Sequence, residues 1–538
     1  MPKVLLTHSG PSMLGWALFR LGVPMENCGR ASTTKIPSII RGEPGTIMKV
    51  TLSRTVRAGI AGLLMLSLSS LGSVSAADRG AVGAHPDLSA GITVQNQSST
   101  TANIVIRMID PTSGGQVLAV SDQVPGNANT QYYLPTDPRF AGLPSGFRGS
   151  AVIDSDQPVA ATVNIAAPTA AGTGTFDPFR VTTYTGLSDT EAGQTLYLPE
   201  VTRYGGYNST VWVQNAGNVD ASVSITYRGG NGAVISSPGC TTSTTIKPAA
   251  TYAFPQQNCA GLGSTFNGSA VVTSATAGAP IAAVVTKTNS FGDISSAQFM
   301  SYNGAVSGGR TLYVPKIVKG YYGFDGGMTI QNISGSTATQ VVITFTFGGV
   351  TKTRTVTIQP QAAASFFLPT MVLDDGTRLP NGNGSAVITS SAADVVATVN
   401  ERNDTPGTST LGQADTYRAM VQTAATMNIS LPSLNARYYG FVSGFSIQNA
   451  GSADGTGTIT LTKGSQVRTF STGTIPAGAK RDFKTWDLWP DADFNGSGSI
   501  SFSQPAFAMV NLAHRADIDP RFAQKVGDTE TIYVGLNR

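Results

Sequence analysis

An internal period of about 117 residues is the feature that most limits how this chain can fold. Four segments end an alternating apolar run in Gln-Asn, and the asparagines are Asn96, Asn215, Asn332 and Asn449. A Gly-Ser pair opens another alternating run in each segment, and the glycines are Gly149, Gly268, Gly384 and Gly496. The spacings are 119, 117 and 117 residues for the first marker and 119, 116 and 112 for the second. Because two independent markers share one period, the sequence predicts four tandem copies of one unit.

Each repeat consists of short runs rich in Val, Ile, Thr and Tyr, such as residues 221–227 and 341–347. Turn residues separate these runs at the intervals typical of β-sandwiches, and a unit of about 115 residues can bury its own core. Beyond residue 76 there are 25 Asp but only four Glu, a composition that favours turns over helices. We therefore expect an all-β chain of four tandem sandwiches arranged as a rod.

The recurring motifs Leu-Pro, Tyr-Gly, Val-Gln-Asn and Gly-Ser-Ala-Val extend over most of residues 87–534. In these motifs the chain resembles the tandem immunoglobulin-like repeats of bacterial secreted and cell-surface proteins. The resemblance implies immunoglobulin-like sandwiches and a structural or surface role. It carries over no catalytic residue, and we expect neither an enzyme nor a cofactor.

The N-terminal region contains a predicted export signal at residues 48–76. Lys49, Arg54 and Arg57 precede an apolar stretch at residues 58–71, and small residues follow up to Ala76. This order predicts a signal peptide cleaved after Ala76 and an extracellular, cell-surface mature chain. The stretch is too short for a membrane span, and no later segment reaches that length. We interpret residues 1–47 as a mis-assigned upstream extension, with a disordered extension as the alternative.

The mature chain has no strong net charge, with 27 basic and 29 acidic side chains in residues 77–538. A surface that binds nucleic acid is therefore not expected. The predicted division is repeat one at 77–180, repeat two at 181–304, repeat three at 305–423 and repeat four at 424–528, followed by a C-terminal strand at 529–538.

Repeats two, three and four each begin with an additional strand, at residues 195–199, 311–315 and 429–432. We call this the leading strand. Repeat one shows no such strand between residue 77 and Ile92, whereas the chain ends in a similar run at residues 531–536. One strand is thus missing at the first repeat and one is spare after the fourth.

This asymmetry suggests assembly by strand donation, in which one copy completes the incomplete sandwich of the next. The donor strand would comprise Thr531, Ile532, Tyr533, Val534 and Leu536, with Tyr533 facing away from the acceptor groove. The groove would be lined by Ile92 and Val94, and the product would be a head-to-tail homopolymer, either a surface filament or a surface layer. We expect residues 529–538 of a single chain to be either unpaired or extended away from repeat four. Two alternatives are that the strand folds back onto repeat four, or that residues 77–89 cover the edge.

A second class of function is a monomeric adhesin or carbohydrate-binding rod. Aromatic side chains can stack on sugar rings or pack against the ends of the sandwiches, and the place of a set of loop tyrosines directly after the leading strands favours packing. These are Tyr204, Tyr207, Tyr321, Tyr322, Tyr438 and Tyr439.

Two further sets of residues have a specific chemistry. Cys240 and Cys259 are an even pair in a predicted exported chain, which indicates a disulfide rather than two buried free thiols. We expect their flanking strands to form a hairpin. Asp491, Asp493 and Asn495 imitate the start of a calcium loop, but the position of the bidentate Glu holds Phe502, so we expect a polar turn rather than a calcium site.

Overall fold

The computed structural model describes residues 62–66, 89–144, 146–168, 179–289, 298–405, 408, 411–491, 493–523, 525 and 527–537. All of them belong to one compact unit, Gly59–Arg538. The predicted upstream extension and signal peptide lie outside the described residues, except for Gly62–Leu66. The predicted N-terminal tail, residues 77–89, also lies outside them except for Ser89, which begins the strand Ser89–Asn96.

The described chain is all-β, with one short α-helix. Repeat one contains β1 (Gly62–Leu66), β2 (Ser89–Asn96), β3 (Ala102–Ile109), β4 (Gln116–Val124), β5 (Asn129–Tyr133), β6 (Gly149–Ser155), β7 (Val159–Pro168) and β8 (Phe179–Thr185). We assign β1 and β8 to repeat one because they pair with β6 and β7, so repeat one extends to Thr185 rather than to the predicted residue 180. Repeat two contains β9 (Thr195–Tyr204), β10 (Tyr207–Asn215), β11 (Ala221–Arg228), β12 (Ser243–Ile246), β13 (Thr251–Pro255), β14 (Phe266–Ser274), β15 (Ile281–Asn289) and β16 (Phe299–Asn303).

Repeat three contains β17 (Thr311–Lys319), β18 (Phe324–Asn332), β19 (Thr339–Phe347), β20 (Val350–Ile358), β21 (Ala363–Phe367), β22 (Gly382–Ser390), β23 (Val395–Asn403), β24 (Ala414–Arg418) and β25 (Met420–Val421). Repeat four contains β26 (Thr426–Ala436), β27 (Phe441–Asn449), β28 (Gly457–Lys463), β29 (Gln466–Ser471), β30 (Lys480–Lys484), α1 (Thr485–Leu488), β31 (Phe494–His514), β32 (Thr531–Val534) and β33 (Leu536–Asn537). Short 3-10 turns occur at Pro138–Phe140, Asp189–Glu191, Gln256–Asn258, Ala260–Leu262 and Gln422–Ala424.

The same antiparallel strand order returns along the chain. In repeat three one sheet has the order β20-β19-β22-β17-β25 and the other β21-β18-β23-β24. Repeat one has β4-β3-β6-β1 and β5-β2-β7-β8. In repeat two the β9-β10 hairpin links the two halves, and in repeat four the 21-residue β31 runs through both. The structure is therefore tandem-repeat-like, as the period predicts.

The leading strands β9, β17 and β26 contribute three core side chains each. All nine are at most 1% exposed, and they are Leu196, Leu198, Val201, Leu312, Val314, Ile317, Ile429, Leu431 and Leu434. Full burial of one such side chain contributes about 1.5–3 kcal/mol. The leading strand is thus a major part of each hydrophobic core.

The repeated asparagine is a structural clamp at the end of β2, β10, β18 and β27. Asn215 shows the pattern: its Nδ2 donates to the carbonyls of Val219 and Ile246, and its Oδ1 accepts from the N–H of Gly217. Asn96, Asn332 and Asn449 make the equivalent bonds. The asparagine begins a turn here, because its side chain replaces backbone partners lost where the strand ends.

The repeated Gly-Ser has a steric cause. A Cβ on Gly149 would lie 2.2 Å from the carbonyl oxygen of Ile109, and one on Gly268 would lie 2.1 Å from that of Arg228. Gly496 is equally close to Thr462. Only glycine permits this approach of neighbouring backbones.

The expectation of a rod is wrong, because the repeats close into a cycle. The last strands of the repeats, β8, β16, β24 and β32, contact one another in the cyclic order β8-β16-β24-β32-β8. Repeats one and four also meet directly, since Gln95 Nε2 donates to the carbonyl of Gly498 at 3.1 Å and Gln131 bonds Asn495 at 2.7 Å. The alternation of apolar and polar residues along these strands predicts that the polar side chains face solvent. In the structure they form contacts between repeats.

The predicted disulfide is confirmed between Cys240 and Cys259, with a Cα–Cα distance of 4.5 Å. The hairpin proposed for its flanking strands is wrong. β12 pairs with β11, whereas β13 pairs with β10, so the two strands are hydrogen-bonded to different neighbours. The turn before Thr251, with Ala249 at a φ of 61°, passes the chain from one to the other.

Candidate functional site: the leading-strand slot of repeat one

The leading-strand position of repeat one is occupied by β1. It runs antiparallel to β6, with Leu64 opposite Ala151. In the other repeats the corresponding pairs are Leu198 with Ala270, Val314 with Ala386, and Leu431 with Gly498. We call this position, beside residues 149–153 of β6, the slot. A segment of the predicted signal peptide therefore lies where the sequence indicates a missing strand.

The slot offers a backbone edge that only β1 covers among the described residues. β6 is hydrogen-bonded to β3 on its other side, so β1 accounts for its remaining edge. An uncovered strand edge presents unpaired N–H and C=O groups and acts as a template for another strand. Strand addition is therefore the chemistry that this site can perform.

Ile92 and Val94, the predicted groove residues, do not form this edge. Both lie in β2, which is hydrogen-bonded on both sides, to β5 and to β7. Their side chains are buried in the core of repeat one. They belong to the interior of repeat one, and the pairing edge is in β6, which the prediction missed. The repeated Gly-Ser at the start of β6 was the available signal for that edge.

The last strand of each repeat contains a buried tyrosine, and in repeats two, three and four its hydroxyl bonds the leading strand. Tyr302 donates its hydroxyl to the carbonyl of Glu200 at 2.5 Å, and Tyr533 donates to that of Ser433 at 2.6 Å. Tyr417 donates in the same way to Lys316. These three acceptors directly follow the proline of the leading strand. The tyrosine thus fastens the last strand to the leading strand.

Tyr184 occupies the corresponding position in β8 and is 3% exposed. Among the described residues its hydroxyl has no hydrogen-bond partner. Burial raises the pKa of Tyr184, Tyr302 and Tyr417 well above the ordinary value of a phenol, so all three hydroxyls remain donors. A buried donor without an acceptor is unfavourable, which makes Tyr184 a mark of an incomplete site.

The expectation that residues 529–538 are unpaired is wrong. β32 pairs with residues 509–512 of β31, and β33 pairs with Ile429 and Ser430 of β26. β24 and β25 close repeat three in the same way, on β23 and β17. The C-terminal strand is therefore the last strand of repeat four, which was one of the alternatives left open by the sequence.

The orientation predicted for this strand is also reversed. Tyr533 packs into the core of repeat four beside Ile429 and Leu431, whereas Ile532 packs with Met509 against residues of repeat three. The prediction was wrong because Thr-Ile-Tyr-Val at residues 531–534 has the same alternation as Thr-Leu-Tyr-Leu in the leading strand at residues 195–198. Aligning Tyr184, Tyr302, Tyr417 and Tyr533 would have identified the strand.

Asp415 joins all four repeats at the centre of the cycle. Its Oδ1 accepts from Thr182 Oγ1 in repeat one and from the N–H of Ser301 in repeat two, both at 3.1 Å. Its Oδ2 accepts from the N–H of Ile532 in repeat four at 2.6 Å. Burial raises the pKa of Asp415, and these donors act in the opposite direction. Sequence analysis missed this residue, since a single Asp in a strand has no recognisable pattern.

The loop tyrosines lie at or beside the turns after the leading strands; Tyr204 ends β9 and Tyr207 begins β10. Tyr321 and Tyr322 contact edge to face with ring centroids 4.7 Å apart, as do Tyr438 and Tyr439. Tyr204 and Tyr322 are 54% and 69% exposed, so packing alone does not account for them. A cleft of about 440 Å³ lies between repeats two and three, lined by Tyr204, Gly205, Tyr207, Asn289, Arg402, Asp404 and Leu411.

The candidate calcium residues are engaged by three different side chains. Asp491 pairs with Arg468 at 2.7 Å, Asp493 pairs with Arg521 at 2.5 Å, and Asn495 bonds Gln131. The oxygens of these residues therefore bind side chains of the same chain.

Comparison with known proteins gives no family for this chain. No family model matches, and no curated protein matches. A crystal structure of a Thermotoga maritima protein aligns at 18% identity over 21% of this chain and 95% of its own, with a TM-score of 0.18. A tetra-tandem repeat in the extending region of a large adhesion protein aligns at 14% identity over 89% of this chain and 98% of its own, with a TM-score of 0.11. Likenesses this weak carry no argument about function.

In the part of the chain that the structure describes, no helix has the length and apolar character of a membrane span.

Proposed function

We propose that this chain is an extracellular, non-enzymatic structural subunit that enters a cell-surface assembly by accepting a β-strand in repeat one. The observation that supports it is the origin of β1. Residues 62–66 lie within the predicted signal peptide, so cleavage after Ala76 removes the strand that covers β6. The finer fold that we propose is four immunoglobulin-like sandwiches, each closed by a leading strand.

Loss of β1 would open both an edge and a groove. The backbone of residues 149–153 would lose its partners on one side, and repeat one would lack the aliphatic side chains that a leading strand inserts elsewhere. Strand addition in trans satisfies both needs together. A contact of this kind joins two different surfaces, so repeated use of it produces an open filament or layer unless the rotation closes a ring.

A head-to-tail homopolymer built with residues 531–536 would require strand exchange. Tyr533 would have to leave its buried position and its bond to Ser433, and repeat four of the donor would become incomplete. The observed pairing therefore favours a donor strand that is not already part of a folded repeat, from another copy or another surface protein.

The test is to export the full chain and compare it with a variant whose cleavage is blocked by Ala77→Pro. N-terminal sequencing and electron microscopy of both proteins give the answer. We expect the exported chain to begin at Ala77 and to form assemblies, and the blocked variant to retain β1 and stay monomeric. An exported chain that begins at Ala77 and remains a stable monomer in surface extracts would contradict the proposal.

A second candidate is a surface adhesin that binds glycans. The exposed rings of Tyr204 and Tyr322 and the cleft beside Arg402 and Asp404 favour it, because aromatic faces and polar side chains together bind sugars. Glycan-array binding by the mature chain, lost in Tyr204→Ala and retained in the exposed control Val467→Ala, would support this function.

A further inference from the structure

The leading strands of repeats two, three and four share one chemistry. Each places two aliphatic residues at alternate positions and follows the second with proline, as Leu196, Leu198 and Pro199 show. The equivalent residues are Leu312, Val314 and Pro315 in repeat three and Ile429, Leu431 and Pro432 in repeat four. All six aliphatic side chains are buried. The three occupied positions therefore define what a leading-strand site accepts.

The proline coincides with a break in the pairing register. In repeat two the register shifts between the pairs Leu198–Ala270 and Val201–Gly268, so Pro199 and Glu200 have no ladder partner. The same shift falls between Val314 and Ile317 and between Leu431 and Leu434. Proline has no N–H to lose at such a bulge. The carbonyl that follows it is thereby released from the ladder and accepts the tyrosine hydroxyl.

Repeat one has the tyrosine, but no carbonyl in the part of the chain that the structure describes accepts a hydrogen bond from it. Tyr184 is buried, and its hydroxyl has no hydrogen-bond partner among the described residues. β1 has Met65 where the other leading strands have proline. The tail at residues 77–88 contains no aliphatic-x-aliphatic-Pro sequence. Neither segment therefore supplies the chemistry for which the site is built.

We infer that the slot of repeat one selects, from another polypeptide, an extended segment with the sequence aliphatic-x-aliphatic-Pro, whose carbonyl after the proline accepts a hydrogen bond from Tyr184. This inference rests on the proposed function, since it needs β1 to be removed. The two aliphatic side chains enter the core of repeat one, and the backbone pairs antiparallel with residues 149–153.

The test uses the exported chain beginning at Ala77 and a labelled synthetic peptide of residues 195–203, followed by fluorescence anisotropy. We expect saturable binding, and no binding to the cleavage-blocked Ala77→Pro variant, in which β1 still fills the slot. A peptide carrying Leu196→Asp and Leu198→Asp should bind at least about 100-fold more weakly, because two charges would enter the core.

Tyr184→Phe tests the recognition step. Removing one hydrogen bond should weaken binding of the peptide by about 3- to 10-fold, while Tyr133→Phe in the same repeat leaves binding unchanged. Circular dichroism confirms that both variants are folded. Equal affinity of Tyr184→Phe and the unaltered chain, or equal affinity of the two peptides, would overturn the inference.

A variant lacking residues 77–88 tests whether the N-terminal tail of the same chain fills the slot. If the peptide binds only after this deletion, the tail of the same chain fills the slot and the inference is overturned. Peptide binding by a chain that never assembles would support the inferred specificity and refute the proposed function. Assembly that proceeds undisturbed in excess peptide would support the proposed function and refute the specificity.

Discussion

Replacing Asp415 by alanine should destabilise the closed arrangement of repeats more than any substitution on the outer surface. The carboxylate accepts hydrogen bonds from Thr182, Ser301 and Ile532, one in each of the other three repeats. Two of these donors are backbone N–H groups, and each loses its partner in a buried place in Asp415→Ala. A buried N–H left unsatisfied costs about 1–3 kcal/mol, so the free energy of unfolding should fall by about 2–6 kcal/mol.

Asp415→Asn separates the loss of charge from the loss of volume. The amide can still accept at Oδ1, but its NH₂ group would face the N–H of Ile532, two donors without an acceptor. We therefore expect Asp415→Asn to be destabilised almost as strongly as Asp415→Ala.

The measurement is urea unfolding of both variants with Asp394→Asn as a matched control. Asp394 forms an ion pair with Arg310 in which both side chains are about half exposed, so its loss should change stability by less than about 0.5 kcal/mol. Small-angle scattering of the folded variants shows whether the repeats stay together. If Asp415→Ala unfolds like the unaltered chain and keeps its radius of gyration, the assignment of Asp415 as the central junction is wrong.

Three further predictions concern stability. Burial raises the pKa of Glu530 to about 8, from an ordinary 4.5, so the folded chain binds this proton more tightly than the unfolded chain; stability should fall as the pH rises from about 4.5 to 8, and Glu530→Gln should flatten this dependence in thermal melts. Deleting residues 531–538 should expose the core of repeat four to proteolysis while the tryptic pattern of repeat two stays unchanged; a truncated chain as resistant as the full one would restore the free-donor hypothesis. Replacing Cys240 and Cys259 by serine should lower stability by about 3 kcal/mol, because a loop of this length gains entropy in the unfolded chain, and labelling of the native unaltered protein should find no reactive thiol at either position.

Some of the fold could be predicted because it depends on neighbours close in sequence. The asparagine at the end of β10 bonds groups a few residues ahead, so its turn is visible in Asn215, Ala216 and Gly217 alone. The all-β class follows from short alternating runs between turns. The disulfide follows from the count of two cysteines in the predicted mature chain.

Other features could not be predicted because the alternation of residues only separates the two faces of a strand and does not say what covers each face. It separates Tyr533 from Ile532, but it does not say which of them enters a core when both faces are covered. Here the core takes Tyr533, and the neighbouring repeat covers Ile532. The same limit explains why a linear rod was expected. Outward-facing polar residues such as Thr182 and Ser301 look like solvent positions until another repeat packs on them.

The sequence by itself determined the period, the all-β class, the asparagine that ends a strand in each repeat and the disulfide pair. These properties are local or periodic, so the order of residues encodes them directly. Only the tertiary structure decided that the C-terminal strand completes repeat four, that Asp415 joins the four repeats, that residues 62–66 cover β6, and that the Tyr184 hydroxyl has no hydrogen-bond partner among the described residues. Each of these depends on partners distant in sequence: Asp415 bonds Ile532 117 residues away, Tyr533 bonds Ser433 100 residues away, and Gly62 pairs with Ile153. Such pairings are set by packing rather than by local pattern.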